Sequence, residues 1–286
     1  MWGCLAADAR NAEVLFPYLN GDDLNSRPDS SAARWVIDFN DRSEEEAAEY
    51  PLPFNRILKL VKPERRKLRP DGKYVMRSPL PERWWQYGEK RPALRAAIAS
   101  LPEVLVISRV SKTVMPMRVP TGQVFSDKLD VFATASFSDQ AVLSSSLHQL
   151  WAITYGSTLE ARVAYTPSYV FETFPLPDST GHLEQLGSAL QNERKKIMAR
   201  RKLGLTRLYN LVNDSAVGSS DVDVSRLREL HVELDRAVLA AYRWDDLRPG
   251  HGFHTVRQMR RFTLDDTARF EVLDRLLAEN RLRAAT

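Results

Sequence analysis

The sequence predicts an α+β protein, in which a domain of mixed strands and helices precedes a smaller, all-α C-terminal domain. Over the first 178 residues, short runs of β-branched and apolar residues alternate with turn-forming residues. After Pro175-Leu176-Pro177 the composition favours helices, and strand signals become few. The chain has 286 residues, of which 43% are hydrophobic, so it can bury a sizeable core. We therefore predict one domain over residues 1–178 and a second over residues 179–286.

The first domain is expected to contain several short strands and two helices. A helix is predicted over 91–101, beginning near Pro92, because proline is favoured in the first turn of a helix. A longer helix is predicted over 140–155, where apolar residues recur at helical spacing. The expected strands, which lie between turn formers such as Asn20-Gly21, cover residues 35–39, 57–61, 104–108, 115–119 and 129–133.

The second domain is expected to consist of helices. They are predicted over 183–211, 224–242 and 264–282, with Thr263 and Asp266 resembling a capping box at the start of the last one. The basic run at 194–202 is interpreted as a solvated helix face, with contact to DNA phosphates as the alternative.

Charge is strongly segregated along the chain, although the net charge is only +4. Residues 1–55 contain 4 Lys and Arg against 11 Asp and Glu, whereas residues 56–128 contain 17 against 6. Lysine and arginine with interleaved aromatic residues, such as Tyr74 and Trp84, are typical of a surface that binds a polyanion. The alternative is a basic surface that serves only solubility.

Several classes of protein are disfavoured. Cys4 is the only cysteine, which excludes an intrachain disulfide and a cysteine zinc site and fits the reducing cytoplasm, where we expect the protein to reside. Neither an apolar segment of about 18 residues nor a secretory signal pattern is found. We predict no membrane partner.

Catalytic motifs are not found either. The chain has no GxGxxG or GxxxxGK[ST] nucleotide loop, no GxSxG and no HExxH. His251 and His254 could be two metal ligands, but no carboxylate or thiol stands at matching spacing, so a glycine-containing loop between helices is the preferred interpretation. The sequence thus predicts neither catalytic residues nor a cofactor or metal site in this chain.

One pair of charged residues suggests base recognition. Glu160 and Arg162 stand two residues apart in a segment rich in strand formers, so an extended strand would point both to one face. Arginine can clamp the O6 and N7 atoms of guanine while glutamate accepts from the cytosine amine, which reads a C·G pair. A solvated ion pair across strands is the alternative. Arg109, Lys112 and Arg118 are candidates for contacts to DNA phosphates, with salt bridges inside the sheet as the alternative.

Several motifs stand in order along the first domain: FPYLNGDDLNSRPD (16–29), RWVIDF (34–39), LVISRVS (105–111), FSDK (125–128), SSLHQLWAITYGSTLEARVAYT (145–166) and FETFPLP (171–177). Two more follow in the helical tail, LRELHVELDRAVLAAYRWDDL (227–247) and RFTLDDTARFEVLDRLLAEN (261–280). Together they resemble the target-recognition domain and the C-terminal region of MmeI-like, type IIL restriction-modification proteins, which are related to adenine-specific DNA methyltransferases of phage-defence systems.

The resemblance implies a DNA specificity module. It implies that Glu160 and Arg162 read one base pair of double-stranded DNA, and that Lys128 and Ala164 stand where the family places a second reading pair. Lys128 could donate to guanine, whereas Ala164 offers only apolar contact.

The resemblance also implies a catalytic partner. In the family an adenine-N6 methyltransferase uses S-adenosylmethionine, and its cofactor motif and its Asn-Pro-Pro-Tyr-like motif do not occur here. The catalytic half is therefore expected on another chain, or this is a truncated copy. Two alternatives remain: a complete enzyme of unrecognised type, or a remnant or protein-interaction module without DNA specificity.

Overall fold

The structure is a computed structural model that describes residues 7–159 and 162–285. The chain forms two compact units, and it passes from one to the other several times. The predicted boundary near residue 178 lies within unit 2, and the division into a recognition domain and a helical domain stays a prediction. Unit 1 comprises Met1–Leu19, Ala32–Ala99 and Gly122–Asp127, and unit 2 comprises Asn20–Ser31, Ser100–Thr121 and Lys128–Thr286.

The α+β class is confirmed. Strands and helices are mixed over the first 178 residues, and the following region is helical apart from one antiparallel pair of strands. In the described residues the strands are β1 (Leu15–Leu19), β2 (Arg34–Ile37), β3 (Glu103–Ser108), β4 (Val110–Ser111), β5 (Met117–Pro120), β6 (Val124–Phe125), β7 (Leu129–Phe132), β8 (Ser157–Leu159), β9 (Arg162–Ala164), β10 (His251–Val256) and β11 (Met259–Leu264).

The three longest α-helices of the described residues all lie in the C-terminal region. A short 3₁₀ helix also spans Ala9–Glu13. The α-helices are α1 (Gly21–Ser26), α2 (Glu44–Ala48), α3 (Pro51–Leu60), α4 (Lys62–Arg65), α5 (Pro92–Ile98), α6 (Phe137–Ser144), α7 (Ser146–Tyr155), α8 (Pro167–Val170), α9 (Gly181–Arg201), α10 (Leu205–Val212), α11 (Val222–Ala241) and α12 (Asp266–Ala284).

Unit 1 is built on a three-stranded sheet with the order β2-β1-β6. Strand β1 pairs antiparallel with β2 and parallel with β6. Its core is aromatic: Phe39 and Trp84 are fully buried, and the ring of Phe54 lies 5.5 Å from that of Trp84. Ile57 of α3 packs into the same cluster.

The strand predicted over 57–61 is wrong, because these residues belong mainly to α3. Pro51 stands at the start of this helix, where its missing amide proton costs nothing. The buried positions Pro53 and Ile57 are four residues apart, which places them on one helical face. The aliphatic residues at 57–61 suggested a strand by type, whereas their spacing to Pro53 fits a helix.

Two of the sheets in unit 2 share one continuous stretch of chain. The first has the order β5-β3-β7, and Val104–Ile107 of its central strand are buried on both faces. The second has the order β4-β9-β8. Arg109 is the single residue between β3 and β4, so the chain passes directly from one sheet into the other.

Helices of the C-terminal region pack closely on α6 and α7. At Gly187 of α9, an added Cβ atom would lie 1.9 Å from the carbonyl oxygen of Phe137, so only glycine permits this close approach. The helix predicted over 140–155 is in fact two helices, because Ser145 is extended and its hydroxyl accepts from the amide of His148, which caps α7.

The region around 250–266 also differs from expectation. His251 and His254 lie in β10, which pairs antiparallel with β11, and not in a loop between helices. Thr263 and Leu264 belong to β11, so the predicted capping box is wrong; α12 begins after Asp265, whose carboxylate accepts from the amide of Ala268.

The basic run at 194–202 is only partly solvated. Arg194 is fully buried, and its guanidinium donates to the carbonyl oxygen of Pro116 at 3.1 Å and to the side chain of Gln191 at 3.3 Å. Lys195 and Lys196 are exposed, in agreement with the predicted surface face. The run therefore contributes one internal brace as well as surface charge.

Candidate nucleic-acid interface

The candidate interface forms in unit 2 where β9 meets the junction between β3 and β4. The main chain of Arg109 joins three segments that are distant in sequence. Its amide donates to the carbonyl oxygen of Lys128 at 2.9 Å, and its carbonyl oxygen accepts from the amide of Tyr165 at 2.7 Å. Both contacts are short enough to fix the main-chain positions firmly. Residues 109, 128 and 162–165 are thereby held together.

Strand β9 presents two of the predicted base-reading residues. Val110 stands opposite Ala164, and Leu159 of β8 stands opposite Arg162. Because side chains alternate along a strand, Arg162 and Ala164 share one face, while Val163 between them is buried. Arg162 and Ala164 are half-buried. Their spacing places both at one surface of this sheet.

The other member of the predicted pair, Glu160, lies outside the described residues, as does Ala161. In sequence these are the two residues between the end of β8 and the start of β9. The prediction that Glu160 and Arg162 act as a pair stays a prediction.

Lysines and arginines at the candidate interface differ in exposure. Lys128 and Lys112 are exposed, and Lys112 directly follows β4. The side chain of Arg109 is 49% exposed, and one of its nitrogens lies 2.9 Å from Oδ1 of Asp130, whose side chain is only 8% exposed. The predicted alternative, a salt bridge, is thus present at Arg109. Since half of the guanidinium side chain remains accessible, the ion pair also orients it at the surface.

Arg118 lies in a different environment and does not belong to this surface. It is buried on β5, where its guanidinium donates to Gln140 Oε1 at 3.1 Å and to the carbonyl oxygens of Ala135 and Ser136 at 2.8 and 3.0 Å. It also lies 4.0 Å from the centre of the Phe137 ring. The surface role predicted for Arg118 is therefore replaced by an internal one: its donors face protein acceptors.

A buried histidine supports β9 from beneath. His148 of α7 is fully buried, and its Nδ1 lies 2.8 Å from the carbonyl oxygen of Leu143. A carbonyl only accepts, so Nδ1 carries the proton and Nε2 accepts from the hydroxyl of Tyr165 at 2.9 Å. Burial lowers the pKa of His148 to about 4, which keeps the ring neutral. In the sequence, a lone histidine is the only signal for this support.

A buried arginine anchors the far end of β4. Arg261 of β11 is buried and donates to the carbonyl oxygen of Lys112. Burial lowers its pKa to about 10, which still leaves it charged at neutral pH. The main chain of Lys112 is thus held from inside while its side chain faces solvent.

Residues 7–159 and 162–285 hold no group of three or more His, Cys, Asp or Glu side chains that could bind a metal ion. His251 instead contacts Asp235, with Nε2 lying 2.9 Å from Oδ2. Within the same residues, no helix is both long and apolar enough to cross a membrane.

Comparison with known proteins identifies the family. The family model described as "MmeI, target recognition domain" matches residues 4–178. The chain belongs to this family. The matched range includes the four predicted base-reading residues and the three main candidates for phosphate contact, whereas the basic run at 194–202 lies outside it. No curated protein sequence matches the chain.

A solved structure of the type IIL restriction-modification enzyme MmeI in complex with DNA shares this fold. The TM-score is 0.59 at 18% sequence identity, and the alignment covers 99% of this chain and 32% of that one. The likeness therefore includes the helical region beyond residue 178. The chain spans about a third of the length of that enzyme.

Proposed function

We propose that this chain is the sequence-specific DNA recognition module of a type IIL restriction-modification or related phage-defence system. The observation that carries the proposal is the match of residues 4–178 to the MmeI target recognition domain. It is supported by the main chain of Arg109, which gathers Lys128 and β9, the segments in which base-reading residues were predicted. The MmeI enzyme whose fold this chain shares was solved with DNA.

Recognition would divide between base edges and phosphates. Arg162 would donate to guanine O6 and N7, and Glu160 would accept from the paired cytosine in the major groove. Lys128 would donate to a second guanine, and Ala164 would offer an apolar contact at that position. Arg109 and Lys112 would bind phosphates, which fixes the register of the duplex. Arg118 is omitted from this set because it is buried.

The chemistry would belong to a partner. An adenine-N6 methyltransferase, bound to S-adenosylmethionine and present as another domain or subunit, would flip the adenine and transfer the methyl group. This chain would select the sequence at which that happens. The competing function is a remnant or protein-interaction module, whose basic surface would bind polyanions with salt-sensitive, sequence-blind affinity.

Selection of binding sites from a randomised duplex library tests the proposal. At about 150 mM salt, phosphate contacts alone are weakened while a base preference survives. The wild-type chain should enrich a motif with a fixed C·G pair. The double variant Glu160→Lys and Arg162→Asp should change that position to G·C, since each good base contact contributes ~1–3 kcal/mol of discrimination.

The control variant is Arg207→Gln, which removes an exposed cation of α10 from outside the candidate interface. It should enrich the wild-type motif. Weaker binding by the double variant with an unchanged motif would contradict base reading by Glu160 and Arg162. Failure of every variant to enrich a sequence, both alone and with an adenine methyltransferase added, would favour the remnant or interaction module.

A further inference from the structure

Residues 66–77 of unit 1, which we call the arm, form a short hairpin that is held by one isolated antiparallel β-bridge and is exposed throughout. The amide of Val75 donates to the carbonyl oxygen of Lys67 at 2.9 Å, and the amide of Arg69 donates to that of Lys73 at 2.8 Å. Leu68 stands opposite Tyr74 in the antiparallel sense. Gly72 closes the turn with a φ of 79°, a value that favours glycine. The arm is thus ordered by its main chain.

The arm is strongly basic. It contains Arg66, Lys67, Arg69, Lys73 and Arg77 against one acidic residue, Asp71. The carboxylate of Asp71 accepts a hydrogen bond from the main-chain amide of Lys73 at 3.1 Å, within the turn.

Two of these cations brace the arm, and three face outward. Arg66 donates to the carbonyl oxygen of Pro81, and Arg69 donates to that of Val75. In the described chain, the ammonium groups of Lys67 and Lys73 make no hydrogen bond or ion pair. A guanidinium nitrogen of Arg77 lies 3.9 Å from Oε1 of Glu89, and the side chain of Arg77 is 84% exposed. Lys67, Lys73 and Arg77 therefore retain donors for an external anion.

Apolar side chains are also exposed on the arm. Leu68 is 57% exposed, and Tyr74, Val75 and Met76 are between 39% and 45% exposed. A short hairpin that packs against little contributes little to the stability of its own unit. Exposed apolar groups among cations mark an interaction surface. A nucleic acid matches both the cations and the apolar side chains of the arm, because it carries regularly spaced phosphates and apolar sugar edges.

We propose that the arm binds duplex DNA without sequence preference, with Lys67, Lys73 and Arg77 on phosphates and Leu68 and Tyr74 against the sugars. This inference rests on the proposed function, and it adds a contact surface in unit 1 to the base-reading surface of unit 2. The role of the arm is affinity and positioning, because phosphate contacts carry no sequence information.

The salt dependence of DNA binding tests the proposal. The triple variant Lys67→Gln, Lys73→Gln, Arg77→Gln is compared with a matched variant, Arg207→Gln, Arg236→Gln, Arg281→Gln, which removes three exposed cations from the helical region. Fluorescence anisotropy with a labelled duplex gives the dissociation constant between about 50 and 200 mM salt. Each phosphate contact contributes about 0.9 to the slope of log K against log salt.

The arm variant should flatten that slope by about 2 to 3 and weaken binding equally for enriched and unrelated duplexes. The matched variant should keep the wild-type slope. An unchanged slope in the arm variant would overturn the proposal and favour a protein partner for the arm. An equal flattening in both variants would overturn it as well, since overall charge would then explain the effect.

Failure of the proposed function gives a different result. If the arm variant flattens the slope while the wild-type chain enriches no sequence, the arm binds DNA and the base-reading role is wrong. If the wild-type chain binds no duplex at about 50 mM salt, where phosphate contacts are strong, both proposals are wrong. The apolar variant Leu68→Ser with Tyr74→Ser should weaken binding several-fold with an unchanged slope; unchanged affinity there would remove the sugar contacts from the proposal.

Discussion

The surface around β9 and the interior beneath it use the same kinds of side chain for opposite purposes. Arg109 is half-exposed and ion-paired on one side, whereas Arg118 is buried with three protein acceptors. Both arginines were equal candidates for phosphate contact by sequence. The difference shows that the buried cations of a basic segment have to be set apart from the exposed ones, because only the exposed ones can contact a nucleic acid.

Buried cations in unit 2 act as braces between segments that are distant in sequence. Arg194 of α9 reaches the carbonyl oxygen of Pro116, and Arg261 of β11 reaches that of Lys112. Arginine suits this role because its rigid fork donates to several acceptors at once. These braces hold the strands whose outer side chains form the candidate interface. The buried arginines therefore fix the position of the main chain, and the exposed side chains on it can bind a partner.

The largest expected effect comes from removing the interior brace. Arg118→Met keeps most of the side-chain volume but leaves Oε1 of Gln140 and the main-chain carbonyl oxygen of Ala135 without their donor, while the carbonyl oxygen of Ser136 keeps the amide of Gln140. The free energy of unfolding should fall by on the order of 4 kcal/mol, since each buried acceptor left unpaired costs about 1–3 kcal/mol. Urea unfolding followed by circular dichroism measures this change.

Arg109→Met is the matched comparison at the surface. It removes the charge partner of Asp130, whose side chain is only 8% exposed, but the arginine itself is half-exposed, so the free energy of unfolding should fall by on the order of 2 kcal/mol, less than for Arg118→Met. Equal losses for Arg118→Met and Arg109→Met would contradict the distinction between brace and surface cation.

Some of this arrangement could be predicted from sequence, and the rest depends on long-range contacts. The strands near 35–39, 104–108 and 129–133 were predicted because runs of strand formers were bounded by turn residues. The β10–β11 pair was missed because its turn, Arg257-Gln258, adopts positive φ values of 43° and 65° without the usual asparagine or glycine.

The candidate interface was predictable in its residue types and not in its geometry. Arg162 was singled out by its spacing from Glu160, and Lys128 by resemblance to the family. That the main chain of Arg109 bonds to Lys128 and to Tyr165, just after β9, arises from pairing between separate segments. The burial of Arg118 depends on α6, which supplies its acceptors. Local sequence patterns do not encode such contacts.

Acid should act on the interior before it acts on the surface. His148 and His231 are fully buried, and burial lowers the pKa of each to about 4 from an ordinary value of 6.5. Between these values the unfolded chain binds more protons than the folded chain, so stability is complete above pH 6.5 and is lost as pH falls toward 4. By about pH 5 the expected loss is on the order of 2 kcal/mol per histidine.

Urea midpoints at pH 7.5, 6 and 5 measure this loss, in a range where most carboxyl groups remain ionised. His182→Gln is the control, because His182 is exposed and should not alter the pH profile. Midpoints that stay constant down to about pH 5 would show that neither histidine is neutral and buried in the fold.

The smallest effect is expected for a cation that belongs only to the surface. Lys112→Gln removes an exposed ammonium and leaves the main-chain contact with Arg261 in place. The urea midpoint should stay within error, since surface substitutions change stability by about 0.5 kcal/mol or less. DNA affinity should fall uniformly across sequences, with the slope of log K against log salt reduced by about 1. A changed base preference in Lys112→Gln would place this residue among the reading residues, and a loss of stability like that of Arg118→Met would place it among the braces.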